Sequence, residues 1–413
     1  MKKLLFVFAG LAFALTAAAQ EFRITHGPYL CDMSQDGVTV VWTTSRPALS
    51  WVEASPADSL APAPPPRHYQ TVAGRKLAGR TLHAVRVRGL QPGTDYRYRI
   101  FSQEVLSWPD VNNVTYGKTV GADASRRRAY GFRTFPAAGS GCSFLVLNDI
   151  HGKADVLTRL CKRVDFSELG FVAFNGDMSS SVESGEQLFK DYLDASAALF
   201  AAGTPILFTR GNHETRGVFA DSLGDYFPGQ DGRFYGIYRY GDVCILLLDC
   251  GEDKLDTSEE YGGIVSCHRF RQRQTEFLKR VVENADHEYN APGVERRFAI
   301  CHVPFMTELM ANSGDKFDIE REIYAEWTRE LNKMGLDLML CGHEHKLFTF
   351  MPGDEKLRYG ASFPVLVGSQ PFFFRDAPDP HRFIGTALTV GADGIHAEFT
   401  DNRGWHERAM DLK

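Results

Sequence analysis

The sequence lacks an excess of basic residues and, beyond its N-terminal segment, any apolar run long enough to span a membrane. Lys and Arg total 46 against 52 Asp and Glu, which gives a formal net charge of −6. Nucleic-acid binding needs a basic face that contacts phosphates and releases counterions, so this balance argues against a nucleic-acid polymer as partner. A transmembrane helix needs about 20 apolar residues. We therefore expect no transmembrane segment in the mature protein.

The N-terminus has the order of segments that is typical of a secretory signal peptide. Lys2 and Lys3 precede the apolar residues 4–15, and Ala17 and Ala19 are placed for cleavage after an A-x-A sequence. The apolar run is shorter than the about 20 residues that span a bilayer, which argues against a membrane anchor. We therefore expect a signal peptide over residues 1–19 and an exported protein, either periplasmic or secreted.

The chain has eight cysteines, which an exported protein can pair as disulfides. Four of them lie in or at the ends of apolar, strand-like runs: Cys142, Cys244, Cys301 and Cys341. A buried free thiol is the commoner outcome at such positions. Cys250 and Cys267 bracket a polar loop instead, and they form the one pair for which the sequence suggests a disulfide.

The first part of the chain, residues 20–136, has strand composition and no helical period. Residues 38–44 and 83–87 alternate partly with a period of two, and residues 90–100 combine a Pro-Gly turn with a strand that carries tyrosines on one face. The proline-rich residues 56–66 are interpreted as a loop. These features predict an all-β sandwich, and the turn and tyrosine pattern resembles a fibronectin type III domain.

After a linker of small residues, the rest of the chain, residues 137–413, alternates short apolar strands with helical patterns. This alternation predicts an α/β domain in which helices cover the sheets. Strands are predicted at residues 144–147, 171–174, 206–209, 243–248, 298–301 and 336–340. Helices are predicted at residues 187–200, 270–282 and 319–334.

Five of these predicted strands are followed directly by residues of metal-binding type. In chain order these residues are Asp149, His151, Asp177, Asn212, His302, His343 and His345. Open α/β sheets place their ligands at the carboxyl ends of the strands, and a mixed set of carboxylates and imidazoles suits Zn, Mn or Fe. Each motif alone is compatible with a loop or a turn, but the ordered set predicts a metal site. An Asp that bridges two cations holds them about 3.5 to 4 Å apart, as in two-metal phosphoryl chemistry.

These motifs follow the order D-x-H, G-D, G-N-H-E, a later His and G-H-x-H, and with them residues 142 to about 400 resemble the calcineurin-like metallophosphoesterases. The preceding sandwich resembles the N-terminal domain of purple acid phosphatases. The resemblance implies a catalytic domain of two mixed sheets flanked by helices, two bound metal ions and hydrolysis by direct attack of a metal-bridging hydroxide.

The resemblance also implies a role for each residue of the motifs. One metal ion would be bound by Asp149, His151 and His345, the other by Asn212, His302 and His343, with Asp177 between them. His213 is similar to the family residue that touches the substrate phosphate and assists the leaving group.

Two positions depart from the purple acid phosphatases. Those enzymes carry an iron-binding tyrosine three residues after the bridging Asp, where this chain has Ser180. They also lack the histidine of D-x-H, which His151 provides here. We therefore expect a colourless site that resembles the histidine-type metallophosphoesterases.

The substrate is less constrained by the sequence. The purple-type sandwich favours phosphate monoesters, while phosphodiesters, including nucleotides and phospholipid headgroups, and a catalytically lapsed binding module remain alternatives. Arg210, with Lys153 and Lys346, lies beside motif residues and could add positive charge. Phe373, within a run of three phenylalanines, could stack on an aromatic leaving group. His268 is interpreted as a solvated helix start, and the sequence does not predict the oligomeric state.

Overall fold

The structure is a computed structural model that describes residues 21–59, 64–121, 129–139, 141–309, 318–368, 382–404 and 406–412. The expected signal peptide and Phe373 lie outside the described residues. Within the described ranges, none of the helices has the length and the apolar composition that crossing a bilayer requires.

The N-terminal part is built from antiparallel strands. They are β1 Ile24–Cys31, β2 Gly37–Pro56, β3 Arg67–Tyr69, β4 Thr71–Val72, β5 Arg75–Lys76, β6 Arg80–Arg88, β7 Asp95–Ser107, β8 Thr115–Gly121 and β9 Tyr130–Arg133. The long strand β2 pairs with β1, β6 and β7. Side chains of β6 and β7 alternate between buried and exposed, as a sheet with one solvated face requires. This alternation is the period-two pattern that the sequence shows.

The catalytic part contributes the remaining strands. They are β10 Cys142–Leu147, β11 Phe171–Asn175, β12 Ile206–Thr209, β13 Gly236–Tyr240, β14 Val243–Leu248, β15 Arg296–Cys301, β16 Leu338–Cys341, β17 Phe348–Phe350, β18 Val365–Val367, β19 Ile384–Gly391, β20 Gly394–Asp401 and β21 His406–Leu412. One sheet has the order β21-β20-β19-β10-β11-β12, and the other has the order β13-β14-β15-β16-β18-β17. Both sheets mix parallel and antiparallel pairs, which confirms the predicted fold class.

The two parts share a sheet, because β1 pairs in parallel with β12 through Cys31 and Ile206. The N-terminal strands therefore extend the first catalytic sheet. The boundary between residues 136 and 137 stays a prediction.

Helices cover the outer faces of the two sheets. The α-helices are Ala154–Cys161, Gly185–Leu188, Asp194–Ser196, Leu223–Tyr226, Cys267–Glu283 and Arg321–Met334, and π-helical turns occupy Phe189–Leu193 and Ala197–Ala201. Short 3-10 turns lie at Phe166–Glu168, His213–Thr215, Ala220–Ser222, Gln230–Gly232, Glu259–Tyr261 and Ala285–His287. The helix predicted over residues 187–200 is therefore continuous in the chain but is partly π-helical. The spacing of its apolar residues does not distinguish α-helical turns from the wider π-helical turns.

The core lies between the sheets and under the helices. Phe144 and Val146 of the first sheet pack in one cluster with Ile245, Phe298 and Leu340 of the second. β11 and β14 are buried along their whole length. Their sequences are therefore nearly continuous apolar runs, without alternation of apolar and polar residues.

The disulfide suggested for Cys250 and Cys267 is wrong in this structure, where all eight cysteines are free and buried. The Sγ atom of Cys250 lies 3.4 Å from that of Cys301, and the Sγ atom of Cys267 accepts a hydrogen bond from the backbone amide of Glu252 at 3.3 Å. The loop turns the two thiols to different neighbours, which sequence separation alone does not reveal.

Candidate metal centre

The candidate ligands meet because their strands end side by side. β10, β11 and β12 run in parallel, and so do β15 and β16, so that within each sheet the carboxyl ends lie at one edge. The loops that leave these five strands carry all seven residues that the motifs predict as ligands.

Three groups of candidate ligand atoms form around Asp177, and two of them correspond to the predicted metal ions. Asp149, His151 and His345 offer ligand atoms within 4.8 Å of one another, and so do Asp177, His302 and His343. The third group joins His151 and Asp177 to His213. The Oδ2 atom of Asp177 lies 3.1 Å from Nε2 of His302 and 3.9 Å from Nε2 of His151. Its carboxylate therefore faces a histidine from each group.

Asn212 joins the second group through its amide. Its Oδ1 atom lies 3.0 Å from Nδ1 of His343. The side chain is buried, with 2% of its surface exposed, so the amide is oriented by protein contacts. The structure thus brings together all the predicted ligands, and their role in binding metal stays a prediction.

The backbone at these residues has a conformation that L-amino acids rarely adopt. Of the ten described non-glycine residues with positive φ, five are candidate ligands: Asp149, His151, Asp177, His343 and His345. Such conformations cost about 1–3 kcal/mol each and tend to occur at functional sites. The sequence motifs carry no signal for this feature.

Gly211 shows why the motif G-N-H requires a residue without a side chain. A Cβ atom at this position would lie 2.1 Å from Oδ1 of Asp177. Since that distance is far inside van der Waals contact, any larger residue would displace the central carboxylate.

Backbone groups orient the ligands further. The Nδ1 atom of His302 donates to the carbonyl oxygen of Asn175 at 2.7 Å, which leaves Nε2 facing Asp177. The backbone amides of His343 and His213 donate to Asp149 and Asp177, each at 3.0 Å.

Electrostatics keep His151, His343 and Asp177 in forms that bind metals, whereas His302 holds a proton near pH 7. Burial lowers the pKa of His151 and of His343 to about 4, so both rings are neutral near pH 7. Burial opposes the ionisation of Asp177, but His302, His213 and His151 together outweigh it and hold the pKa of Asp177 well below its usual value. Burial likewise opposes the charged form of His302, but Asp177 and Asp149 raise its pKa to about 10. A cation at this position would replace that proton, because a metal needs the neutral imidazole.

The donor set fits transition-metal ions. Imidazole nitrogens combined with carboxylate and amide oxygens suit Zn, Mn or Fe, whereas Mg and Ca prefer all-oxygen sites. The residues present therefore match the metal ions that the motifs predict.

His213 lies at the edge of the centre, with 27% of its side chain exposed. Its Nδ1 atom donates to the carbonyl oxygen of Ser180 at 2.7 Å, and its Nε2 atom lies 3.9 Å from Oδ2 of Asp177. The Oγ atom of Ser180 also lies 3.2 Å from Nδ1 of His151. Ser180, at the position of the missing tyrosine, therefore orients two histidines of the centre.

Arg210 makes contacts that hold it within the protein. Its Nε atom donates to Oδ2 of the buried Asp249 at 2.7 Å, and its guanidinium lies over the rings of Phe234 and Phe270. Substrate binding by Arg210 stays a prediction. His268, at the start of the helix Cys267–Glu283, pairs with Glu320 at 2.8 Å.

Sequence reasoning gave no role to several polar residues around the centre, including the Glu of the motif G-N-H-E. Glu214 is fully buried beneath it, and Arg216, Glu252 and Asp253 form a charged network beside His213. Glu252 and Asp253 follow the end of β14, so the same rule about strand ends could have identified them.

The fold and the candidate centre together define a purple acid phosphatase-like metallophosphoesterase core with an N-terminal β domain. Residues 142–347 match the calcineurin-like phosphoesterase family, and residues 30–116 match the N-terminal domain of purple acid phosphatases. The catalytic part of the chain therefore belongs to the calcineurin-like phosphoesterase family, which confirms the resemblance drawn from its motifs. The likeness to fibronectin type III stays a prediction. No curated protein matches the chain.

A solved structure of a purple acid phosphatase shares this architecture. A purple acid phosphatase from yellow lupin (Lupinus luteus) seeds is 15% identical, with a TM-score of 0.63 over 93% of this chain and 73% of that chain. At this identity the likeness shows the fold alone. The phosphopantetheinyl hydrolase of Mycobacterium tuberculosis is 11% identical over 57% of this chain and 92% of its own, with a TM-score of 0.32, which is too low to support an argument.

Proposed function

We propose that this protein is an exported phosphoesterase that uses two metal ions to hydrolyse phosphate monoesters. The observation that carries the proposal is the position of Asp177, whose Oδ2 atom lies between the two groups of candidate ligands. A carboxylate placed in this way suits a pair of cations, which is the arrangement used in two-metal phosphoryl chemistry.

Each group of residues has a distinct task in this proposal. Asp149, His151 and His345 hold one metal ion, and Asn212, His302 and His343 hold the other. When bound, such ions neutralise charge on the phosphoryl oxygens and lower the pKa of the attacking water. The positive-φ loops fix the ligands before substrate arrives, so that no reorganisation is needed during the reaction.

His213 is suited to the leaving-group side of the reaction. Since its Nδ1 atom donates to the Ser180 carbonyl, its Nε2 atom is the one directed toward Asp177 and the space in front of the centre. When Nε2 takes up a proton, the imidazolium there can stabilise the departing oxygen or donate that proton to it. Because a carbonyl oxygen can only accept a hydrogen bond, the hydrogen of the neutral ring lies on Nδ1.

Two sequence features support the remaining parts of the proposal. The order of basic, apolar and small residues at the N-terminus supports export. The purple-type N-terminal domain at residues 30–116 supports monoesters as the substrate class, by analogy between folds.

The test is hydrolysis of p-nitrophenyl phosphate compared with bis-p-nitrophenyl phosphate. The protein is stripped of metal, reloaded with Mn, Zn or Fe, and assayed beside His213→Ala, with the exposed His268→Ala as the matched control. We expect turnover only with metal, a higher kcat/KM for the monoester, and a loss of about 10²- to 10⁴-fold in kcat for His213→Ala. Preference for the diester would make the monoester assignment wrong, and no turnover with any metal would contradict the enzyme itself.

A further inference from the structure

Arg216, three residues after His213, lies beside the centre in a position that the family motifs do not describe. We propose that Arg216 binds a non-bridging oxygen of the substrate phosphate and thereby favours monoesters over diesters. The inference deepens the proposed function and rests on it for the location of the phosphate.

The guanidinium of Arg216 is held by two carboxylates on one side, and its third nitrogen faces His213. Its Nε and Nη2 atoms donate to the two carboxylate oxygens of Glu252, each at 2.9 Å, and Nη2 also lies 3.4 Å from Oδ1 of Asp253. Its Nη1 atom lies 3.4 Å from Nε2 of His213. The Nε2 atom of His213 faces the centre. Because Nη1 of Arg216 lies beside that atom, Nη1 also lies at the edge of the centre.

The anchor for this guanidinium is rigid. Glu252 has no exposed surface, and it also accepts a hydrogen bond from Oγ1 of Thr215 at 2.6 Å. Asp253 accepts a hydrogen bond from the hydroxyl of Tyr261 at 3.1 Å. A donor that is already positioned loses little conformational entropy when it binds a ligand, so its contribution to affinity is larger.

A structural ion pair alone does not explain the geometry. A guanidinium whose only role is the salt bridge with Glu252 needs only Nε and Nη2, and both of these atoms donate to Glu252. The third nitrogen, Nη1, instead points away from Glu252 and approaches Nε2 of His213 at 3.4 Å. A phosphate dianion that accepts a hydrogen bond from Nη1 would interact favourably with the guanidinium, which gives this juxtaposition a function.

The chemistry of the esters connects this geometry to specificity. A monoester presents three non-bridging oxygens and carries close to two negative charges, whereas a diester presents two such oxygens and one charge. A guanidinium is always charged and its planar donors match phosphate oxygens. One further fixed cation at the centre therefore stabilises the bound monoester more than the bound diester.

The experiment measures phosphate binding and turnover separately. Calorimetric titration of the metal-loaded protein with inorganic phosphate is combined with kcat/KM for p-nitrophenyl phosphate and bis-p-nitrophenyl phosphate. The variants are Arg216→Ala and Arg216→Lys, with Arg159→Ala as control, since Arg159 makes an exposed ion pair with Asp155 on the helix Ala154–Cys161. Metal content and thermal melts show whether each variant is folded and loaded.

We expect Arg216→Ala to weaken phosphate binding by about 10- to 100-fold, the range for a charge-assisted hydrogen bond. We expect kcat/KM for the monoester to fall by a similar factor, and kcat/KM for the diester to fall by less than about threefold. Arg216→Lys should lose less phosphate affinity than Arg216→Ala, because lysine keeps the positive charge but lacks the planar, paired donors of arginine. Arg159→Ala should match the wild type.

Several outcomes would overturn the inference. Unchanged phosphate affinity in Arg216→Ala, an equal loss for both esters, or a loss explained by lower metal content would each assign Arg216 a structural role only. If the wild type binds phosphate but hydrolyses neither ester, the proposed function fails and the phosphate affinities still decide the role of Arg216. If the wild type binds no phosphate with any metal, both proposals fail.

Discussion

The carboxylate of Glu214 accepts a hydrogen bond from the backbone amide of Asp177 at 2.7 Å. The same carboxylate accepts from the amides of Met178, Ser179 and Gly211, at 2.7, 3.3 and 2.8 Å. One buried side chain thus ties together the loops that follow β11 and β12, and so fixes the two loops that carry Asp177 and Asn212.

We expect Glu214→Gln to weaken both the fold and metal binding. The amide nitrogen of Gln cannot accept a hydrogen bond, so up to two buried N–H groups lose their acceptor, at a cost of about 1–3 kcal/mol each. Urea unfolding and metal titration check this, with an expected loss of about 10- to 100-fold in metal affinity. The exposed Glu276→Gln is the control, and a Glu214→Gln variant with unchanged stability and affinity would contradict the role assigned to this side chain.

Metal removal should destabilise the protein through Asp177. A ligand that binds only the folded state adds about 4 kcal/mol when its concentration is 1,000 times Kd. We expect the Tm of the stripped protein to rise when Mn or Zn is added, and we expect Asp177→Asn to lose most of that rise because the central carboxylate becomes neutral. Differential scanning calorimetry with and without metal measures both. Equal stabilisation of the variant and the wild type would show that the ions bind elsewhere.

The iron-loaded protein should be colourless. At the position of the tyrosine that colours purple acid phosphatases, Ser180 instead contacts His151 through its hydroxyl and His213 through its carbonyl. A hydroxyl of this kind provides no phenolate to iron. Visible absorption of the iron-loaded wild type checks the point, and a tyrosinate-to-iron charge-transfer band would make the expectation wrong.

The fold and the seven candidate ligands could be predicted because their sequence signals are local. Short apolar runs mark β11 and β14, and each ligand follows such a run directly. The supporting network could not be predicted in the same way. Arg271 reaches Glu320 across 49 residues, and Arg216 reaches Glu252 across 36, so only the folded chain shows which charges meet.

Predictions also failed where backbone geometry decides the outcome. The positive φ of Asp149 and Asp177 leaves no trace in their residue type, since neither Asp nor His demands that conformation. Cys250 and Cys267 bracket a polar loop in the sequence, while the structure directs Cys250 toward Cys301.

Arg271 should be essential to the loop that anchors Arg216. Its side chain is fully buried, donates to the carbonyl of Cys250 at 2.8 Å and to that of Glu252, and pairs with Glu320 at 3.1 Å. Breaking a buried pair by removing one partner costs about 3–5 kcal/mol. We expect Arg271→Leu to lose stability in this range by urea unfolding, with the exposed Arg273→Leu as control. A loss below about 1 kcal/mol would show that the loop is held by other contacts.

The N-terminal β domain should make the protein sensitive to acid through His83. This ring is 3% exposed, lies 2.9 Å from Oγ1 of Thr44, and has a pKa that burial lowers from 6.5 to about 3. The unfolded state therefore binds the proton between these values while the folded state does not, so stability falls as the pH drops below 6.5.

Between pH 7.5 and pH 5 this group alone should remove about 2 kcal/mol from the free energy of unfolding. Because other groups titrate over the same range, the comparison is made with His83→Gln, which keeps a hydrogen-bonding side chain but takes up no proton. Urea unfolding at both pH values should give a smaller decrease for His83→Gln than for the wild type, and the same decrease as the wild type for the exposed His287→Gln. If His83→Gln and the wild type lose equal stability, the acid sensitivity originates outside this domain, and the buried imidazole must be solvated well enough to accept its proton without unfolding.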